Sequence, residues 1–344
     1  MVQALSCAQG LGVKIILCII SGRCLFFLLA MMSFPFFSLP VFASPPLKRA
    51  DHVFIIIMEN KGFGEIVHGT DAPFFNSLSG GRLTNYWSLA HPSLPNYVAM
   101  MGAWPPLPAS DDPRIRLEGD SLPEELVRHG HSVGSYMQGL PRAGFGGKSA
   151  PSLFGRYVLK HDPFLLFSRL RESPVRKTVV PLHKLPEDLA RGSIPELSLI
   201  VPDLCHDMHG AFACHFHNRH ELVKAGDRFL AHWIPVIESS QLFRTGRVWI
   251  FVLWDESGYG ERSDSGGKDD RIRDPLPKEK RLHAGGHIPF LWIDSKVSSP
   301  WQSPCFANHY SLLESLTHNF SLPELAPPGE RVPLPGPGGV CSKD

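Results

Sequence analysis

Two seven-residue runs, His52-Val53-Phe54-Ile55-Ile56-Ile57-Met58 and Val248-Trp249-Ile250-Phe251-Val252-Leu253-Trp254, constrain the fold more than any other feature of the chain. Neither alternates polar and apolar residues, as a strand with one wet face would. A continuous run of this length, rich in β-branched and aromatic side chains, is the pattern of a strand covered on both faces, as in a parallel sheet. Further strands are expected at Ser132 to Met137, Leu197 to Val201 and His287 to Ile293, and helices at Leu122 to His129, Arg219 to Ser239 and Tyr310 to Asn319. Strands alternating with helices predict an α/β fold, a mostly parallel central sheet with helices on both faces. Of the 344 residues, 43% are hydrophobic, enough for a sizeable core, and the net charge of +1 gives no electrostatic footprint for nucleic acid.

In open α/β sheets, ligands bind outside the carboxyl ends of the strands. Glu59-Asn60 ends the first run and Asp255-Glu256 ends the second, while Asp203-Leu204-Cys205-His206-Asp207-Met208-His209 follows the strand at Leu197 to Val201. Adjacent carboxylates at the end of a buried strand repel each other and lose hydration, and a divalent cation offsets both costs. The plainer alternatives are an Asx-type turn at Asn60 and a solvated strand end at Asp255. The 203–209 cluster suits a metal or a set of phosphate-handling histidines without matching a defined zinc motif, and His215, His217 and His220 read as surface histidines.

His91-Pro92-Ser93-Leu94-Pro95-Asn96-Tyr97 sets one hydroxyl between two prolines, just before an apolar run that reads as the first turns of a helix. Ser93 there is either a simple N-cap, with Pro95 near the first turn, or a nucleophile facing the positive end of the helix dipole.

The organisation along the chain follows composition. Residues 1–43 read as a cleaved secretory signal peptide: Lys14 and Arg23 precede an apolar stretch, and Val41-Phe42-Ala43 forms a small-residue cleavage pattern. A membrane anchor is the alternative. Residues 44–51 form a linker, 52–322 the main domain, and 323–344 a Pro-rich extended tail. Residues 138–190 look like an insertion at the rim of the site, and 258–285 like a long mobile loop. Export leaves Cys205, Cys214, Cys305 and Cys341 to form two disulfides, with Cys205–Cys214 and Cys305–Cys341 the preferred pairing of three.

The ordered set of Glu-Asn, His-Pro-Ser-x-Pro-Asn-Tyr, Pro-Asp-x-Cys-x-Asp-x-His, Trp-Asp-Glu-Ser and Gly-His-x-Pro resembles the bacterial phosphoesterase family of acid phosphatases and phospholipases C. That family belongs to the alkaline-phosphatase-like superfamily, and the resemblance runs from His52 to Leu322. It implies that Ser93 is a nucleophile that also touches a metal, and that Glu59, Asn60, Asp255 and Glu256 complete the metal site. Asn96, His91 and His206 would contact substrate, and His209 and His287 would serve the phosphoryl oxygens or the leaving group. Asp203 and Asp207 would orient a histidine or join a second metal; Asp227 would be structural, and His309, just before the last helix, would cap it. The oxygen-rich set suggests Ca²⁺, Mg²⁺ or Mn²⁺, or zinc if His209 coordinates.

The expected activity is that of an exported, metal-dependent phosphoric ester hydrolase working through a phosphoseryl intermediate on a phosphate ester substrate. Two alternatives stand beside it. A phospholipase C would contact membrane through an apolar rim such as Pro163 to Phe167, and an exported binding protein would keep the fold without catalysis. A sulfatase is disfavoured because the Cys/Ser-x-Pro-x-Arg pattern is missing. No oligomeric state is assigned.

Overall fold

A computed structural model describes residues 48–102, 110–147, 156–214, 218–258, 285–339 and 341. The expected signal peptide at 1–43, most of the expected 258–285 loop, residues 148–155 of the expected insertion, and His215 and His217 lie outside the described residues.

The strands, in chain order, are β1 (His52–Met58), β2 (Gly81–Leu83), β3 (Tyr86–Trp87), β4 (Val133–Met137), β5 (Val179–Pro181), β6 (Leu197–Val201), β7 (Val248–Trp254), β8 (Phe290–Asp294), β9 (Trp301–Ser303) and β10 (Ala307–Asn308). Eight of them form one sheet in the order β5-β4-β6-β1-β7-β8-β2-β9, and β10 and β3 form a separate parallel pair. From β5 through β7 all pairings are parallel, whereas β8 runs antiparallel to both β7 and β2. The two apolar runs are therefore the neighbours at the centre of the sheet. From Val53 to Met58 every β1 residue is fully buried, as is almost all of β7. At about 1.5–3 kcal/mol for each large apolar side chain removed from water, these strands anchor the core.

Most of the expected elements form within a residue or two of their anticipated ends: the helices are Leu122–Arg128, Arg219–Glu238 and His309–Phe320. One strand differs. His287 does not open β8; it lies three residues before it and makes an isolated bridge to Trp87. The 138–190 segment, where described, folds into short 3₁₀ turns, the helix Ser168–Glu172, β5 and the helix Leu185–Arg191. The expected lipid rim, Pro163 to Phe167, is buried, so its apolar side chains are core and the phospholipase C reading loses its sequence support.

Both preferred disulfides are present, Cys205–Cys214 and Cys305–Cys341. The second ties down the Pro-rich tail, which is packed rather than free. Leu334 is buried and its amide donates to Ser315 Oγ at 2.7 Å, while Asn308 Nδ2 donates to Glu330 Oε2 at 3.0 Å. Asp227, on the long helix Arg219–Glu238, accepts from the amides of Phe74 and Phe75 at 2.9 and 2.8 Å. It thereby satisfies the start of the helix Pro73–Ser77, a structural role. Among the described residues, no helix is long and apolar enough to cross a membrane.

Candidate active site

The register between β1 and β7 builds the site. The strands pair from His52↔Val248 to Met58↔Trp254, so the chain leaves both strands at the same level. Glu59-Asn60 therefore stands beside Asp255-Glu256, although almost two hundred residues separate them. Backbone bonds extend the alignment: Asp255 N donates to Met58 O at 2.9 Å and Glu59 N to Asp207 O at 2.7 Å. Asn60 then turns the chain away with φ +55°, a left-handed conformation that asparagine tolerates better than most residues. Its amide N–H donates to Asp255 Oδ1 at 3.1 Å.

Ser93 enters from the other side as the first residue of the helix Ser93–Met101. The N-cap is Pro92, which has no side chain to offer, and Ser93 makes no capping bond. The simple-cap reading of this serine is thus corrected. Ser93 Oγ lies 3.0 Å from Glu59 Oε2 and 3.5 Å from Glu256 Oε1. All nine residues of the helix are buried, so the hydroxyl is held on a rigid element.

Asn96, one turn on, folds its amide back onto the loop that carries Ser93. Its Oδ1 accepts from Ser88 Oγ and from the amides of Leu89 and Ala90, and its Nδ2 donates to Ala90 O at 2.8 Å. Both ends of the amide are engaged, so Asn96 fixes the loop before Ser93 rather than reaching a phosphate. His91 points into the site and meets Glu256 Oε2 through Nδ1 at 2.5 Å.

The carboxylates at the centre are almost completely shielded from water: Glu59, Asp207 and Asp255 are 0% exposed and Glu256 1%. Burial, followed by the charge of Asp207, pushes Glu59 up to about 8. Glu256 rises to about 7, mainly through burial, and Asp255 is driven well above the usual range by burial and by Glu59. Asn60 Oδ1 and Asp255 Oδ2 are buried without a hydrogen-bond partner. Orphaned buried oxygens beside crowded carboxylates are an arrangement that a bound cation would satisfy.

The donor set fits a hard divalent metal: two or three carboxylates, an amide oxygen and a hydroxyl. Among the described residues, no three His, Cys, Asp or Glu side chains already stand in a metal-binding array. The set that fits needs Asn60 and Ser93 as well as the acids.

Several contributors escaped the sequence reading. Tyr97 donates its hydroxyl to Glu59 Oε1 at 2.7 Å. His161 stacks on Tyr97 with centroids 5.2 Å apart, and its ring packs against the acids, with Nε2 3.1 Å from Glu59 Oε1 and Nδ1 3.5 Å from Asp207 Oδ2. Among the described residues, neither His161 Nε2 nor Asp207 Oδ2 makes a hydrogen bond. Burial, then the charges of Lys160 and His209, keep this imidazole neutral. Lys160 binds Asp111 Oδ2 at 2.6 Å, while Asp111 Oδ1 accepts from the amide of Leu94 at 3.1 Å. One carboxylate thus ties the ammonium to the residue next to Ser93. Burial pulls Lys160 down, but Glu59 and Asp111 outweigh it and hold it charged. Both Lys160 and His161 come from the 138–190 segment, which has no periodicity to read. The only signal was a Lys-His-Asp triplet between two apolar stretches.

The other expected residues divide. Asp207 accepts from the amide of His209 at 2.7 Å, and His209 Nδ1 meets Gly210 O at 2.8 Å, which leaves Nε2 as the nitrogen for proton exchange. Burial and the nearby Lys160 lower its pKa. Asp203 faces elsewhere: Oδ1 accepts from His206 Nδ1 at 2.9 Å and Oδ2 lies 3.0 Å from Arg156 Nε. An arginine already stands where a second cation would sit at Asp203, and His206 is held on that pair. His287 is stacked between Phe63 at 4.3 Å and Trp87 at 4.9 Å, with Nε2 3.1 Å from Thr84 O. This sandwich makes it part of the wall beside the site. His309 is no cap: Asn308 fills that role, and His309, fully buried, bonds Asp255 O at 2.8 Å and Tyr86 OH at 3.1 Å. It holds the backbone of the acidic turn in place.

Comparison with known proteins places the chain by family and fold. The Phosphoesterase family model matches residues 68–323. The chain is 26% identical over 288 residues to a phosphatidylinositol-3-phosphatase of Mycobacterium tuberculosis, covering 82% of this chain and 81% of that protein. It is 28% identical over 253 residues to a phosphate-repressible acid phosphatase of Penicillium chrysogenum, covering 72% of this chain and 53% of the fungal protein. The chain therefore spans only about half of that fungal relative. In fold it is similar to a protein of the alkaline phosphatase superfamily from Vibrio parahaemolyticus, with a TM-score of 0.51, 16% identity, and coverage of 80% of this chain and 67% of that one. A similar likeness, with a TM-score of 0.51 and 9% identity, links 86% of this chain to 97% of the periplasmic domain of a phosphoethanolamine transferase from Campylobacter jejuni. The chain belongs to the Phosphoesterase family and is a phosphoric ester hydrolase.

Proposed function

We propose that the chain is an exported phosphomonoesterase that uses Ser93 as its nucleophile and holds one divalent cation between Glu59, Asn60, Asp255, Glu256 and Ser93. The observation that carries this reading is the placement of Ser93 Oγ against Glu59 and Glu256 beside the unpartnered oxygens of Asn60 and Asp255. A bound cation would supply Lewis-acid stabilisation of phosphoryl charge and a lowered pKa for the serine hydroxyl.

The chain's own residues account for the rest. Ser93 passes its hydroxyl proton to Glu59 Oε2, the acceptor 3.0 Å away, attacks phosphorus in line and forms a phosphoseryl ester as the leaving group departs. Glu59 returns the proton to Ser93 when water releases phosphate. The helix N-terminus and Lys160 face the phosphoryl oxygens and stabilise their charge. Tyr97 and His161 fix the rotamer of Glu59, and His91 that of Glu256. His209, neutral in the free enzyme, gains a proton more readily when a dianion arrives; its Nε2 then gives that proton to the leaving group and later takes one from the attacking water.

Export is supported by the apolar leader at 1–43, removed in the mature protein, and by two disulfides. The relatives' names make soluble phosphate monoesters and 3-phosphorylated inositides the first substrates to assay. Ser93→Ala tests the nucleophile: turnover of p-nitrophenyl phosphate should fall at least about a thousandfold with an unchanged circular dichroism spectrum. Acid-quenched wild type should also carry ³²P on Ser93. Turnover by the variant within tenfold of wild type would remove Ser93 from the mechanism.

A further inference from the structure

A cavity of about 730 Å³ lies apart from the Ser93 site and shares no lining residue with it. Its walls carry Arg116, Arg142, Arg171, Arg176 and Lys177, with Glu172 the one acid. Elsewhere on this near-neutral chain Arg82 and Arg244 bond backbone carbonyls, but several arginines pair with carboxylates: Arg114 with Asp112, Arg128 with Glu125, Arg169 with Glu124, Arg219 with Glu65 and Arg247 with Asp294. Around the cavity none does. Among the described residues, no carboxylate comes within ion-pair distance of any of the five cations, Glu172 included.

Backbone carbonyls aim the guanidinium groups instead. Arg176 Nε donates to Gly144 O at 2.5 Å, Arg171 Nη2 to Gly146 O at 2.8 Å, and Arg116 Nη1 to Ile115 O at 2.8 Å. Gly144 is needed for this approach, and Gly146 leaves room for it. A Cβ at Gly146 would stand 3.2 Å from Arg171 Nη2, and one at Gly144 would stand 3.0 Å from Arg176 O at a φ of +64°. Arg142 lies over the Phe145 ring, 5.9 Å from its centroid. The cations also feel one another: burial first, then Arg116 and Arg176, hold Arg171 below the usual arginine value. Mutual repulsion within a preorganised concavity is relieved by an anion, and five cations facing one acid carry more charge than the roughly two negative charges of one phosphate balance.

We infer that this cavity binds a compact polyanion carrying several phosphate groups on one small scaffold, such as a multiply phosphorylated inositol ring, free or as a lipid headgroup. The inference is independent of the chemistry proposed at Ser93.

The soluble arm of the test is calorimetric titration of the purified protein with myo-inositol hexakissulfate, which is not a phosphate ester, in the presence of inorganic phosphate to fill the catalytic site. One molecule should bind per chain, with an affinity that falls steeply as salt is raised. Arg116→Gln with Arg142→Gln, both exposed residues outside the core, should weaken binding about tenfold. Arg171→Gln with Arg176→Gln should abolish it, with folding checked by circular dichroism. The lipid arm is co-sedimentation with phosphatidylcholine vesicles containing phosphatidylinositol phosphate. Sedimentation of wild type but not of the Arg116/Arg142 variant assigns the site to a lipid headgroup, and soluble binding without sedimentation assigns it to a free ligand. Failure of wild type to bind either probe, or binding that the Arg116/Arg142 variant leaves within twofold, overturns the inference. Loss of p-nitrophenyl phosphate turnover in that variant would also overturn it, by placing the cavity in the catalytic machinery.

Discussion

The molecule holds two clusters of like charge, and they differ in solvent. At the ends of β1 and β7, Glu59, Asp255 and Glu256 are sealed from water. Around the arginine cavity, Arg116 and Arg142 are exposed and Arg171 and Arg176 half-buried. Water screens the second cluster, so its repulsion is cheap and the positive charge can wait for a transient anion. The first has no such relief. Its charges are either neutralised by protons, which is what the raised pKa values of Glu59 and Glu256 express, or balanced by a resident cation. Burial turns a charge cluster into a demand for a cofactor, and exposure turns it into a docking surface.

Asp255→Asn breaks this comparison most sharply. In metal-loaded protein it should cost about a thousandfold in kcat/KM, and elemental analysis should find little bound cation. After chelation the sign of the stability effect should reverse. Removing one of several crowded buried charges should raise Tm, by the equivalent of about 1–3 kcal/mol. A chelated variant less stable than the chelated parent would show that the carboxylate is needed for packing rather than for a cation.

Lys160→Met comes next. It removes the ammonium that Asp111 ties beside Ser93 and should lower kcat/KM for p-nitrophenyl phosphate about a hundredfold, with partial rescue by Lys160→Arg. The loss should be smaller for bis-p-nitrophenyl phosphate, a diester with one less charge. Equal losses on both substrates would reduce Lys160 to a scaffold role.

Asp162→Asn is subtler and reads stability. Asp162 is fully buried, and burial raises its pKa to about 7 from the ordinary aspartate value near 4. The folded state therefore holds a proton that the unfolded chain releases between those values. Its contribution is complete below about pH 4 and is lost as pH rises through about 7, with a slope of up to about 1.4 kcal/mol per pH unit. The asparagine variant should lack that part of the pH dependence in urea titrations between pH 4 and 7. An identical pH profile would mean that Asp162 is ionised throughout.

The smallest effect belongs to the exposed cluster. Arg116→Gln with Arg142→Gln should change folding stability by less than about 0.5 kcal/mol, because neither residue packs into the core. A larger change would mean that the basic cavity is part of the scaffold.

Sequence patterns carried much of the site because strand ends are local features. The apolar run before Glu59-Asn60 and the one before Asp255-Glu256 each announced a buried strand and where it stopped. Ser93 was legible through its prolines, although its role as first helical residue rather than cap was not. The 138–190 segment was opaque because 3₁₀ turns and short helices have no period. His161 and Lys160 gain their meaning only from neighbours far away in the chain. Asn96 and His287 show the converse: their positions fitted a motif, while the bonds they make were set by the loop backbone and by Phe63 and Trp87.

By itself the sequence determined that two strands would be buried on both faces, that each would end in acid, and that four cysteines would pair, because burial, periodicity and redox context act on local composition. Only the tertiary structure decided that Met58 would pair with Trp254 and so bring the two acidic turns together. It also decided that Lys160 and His161 would close over them, and that arginines from three separate segments would share one cavity. Register and long-range packing are collective minima of the whole chain, and no single window of residues contains them.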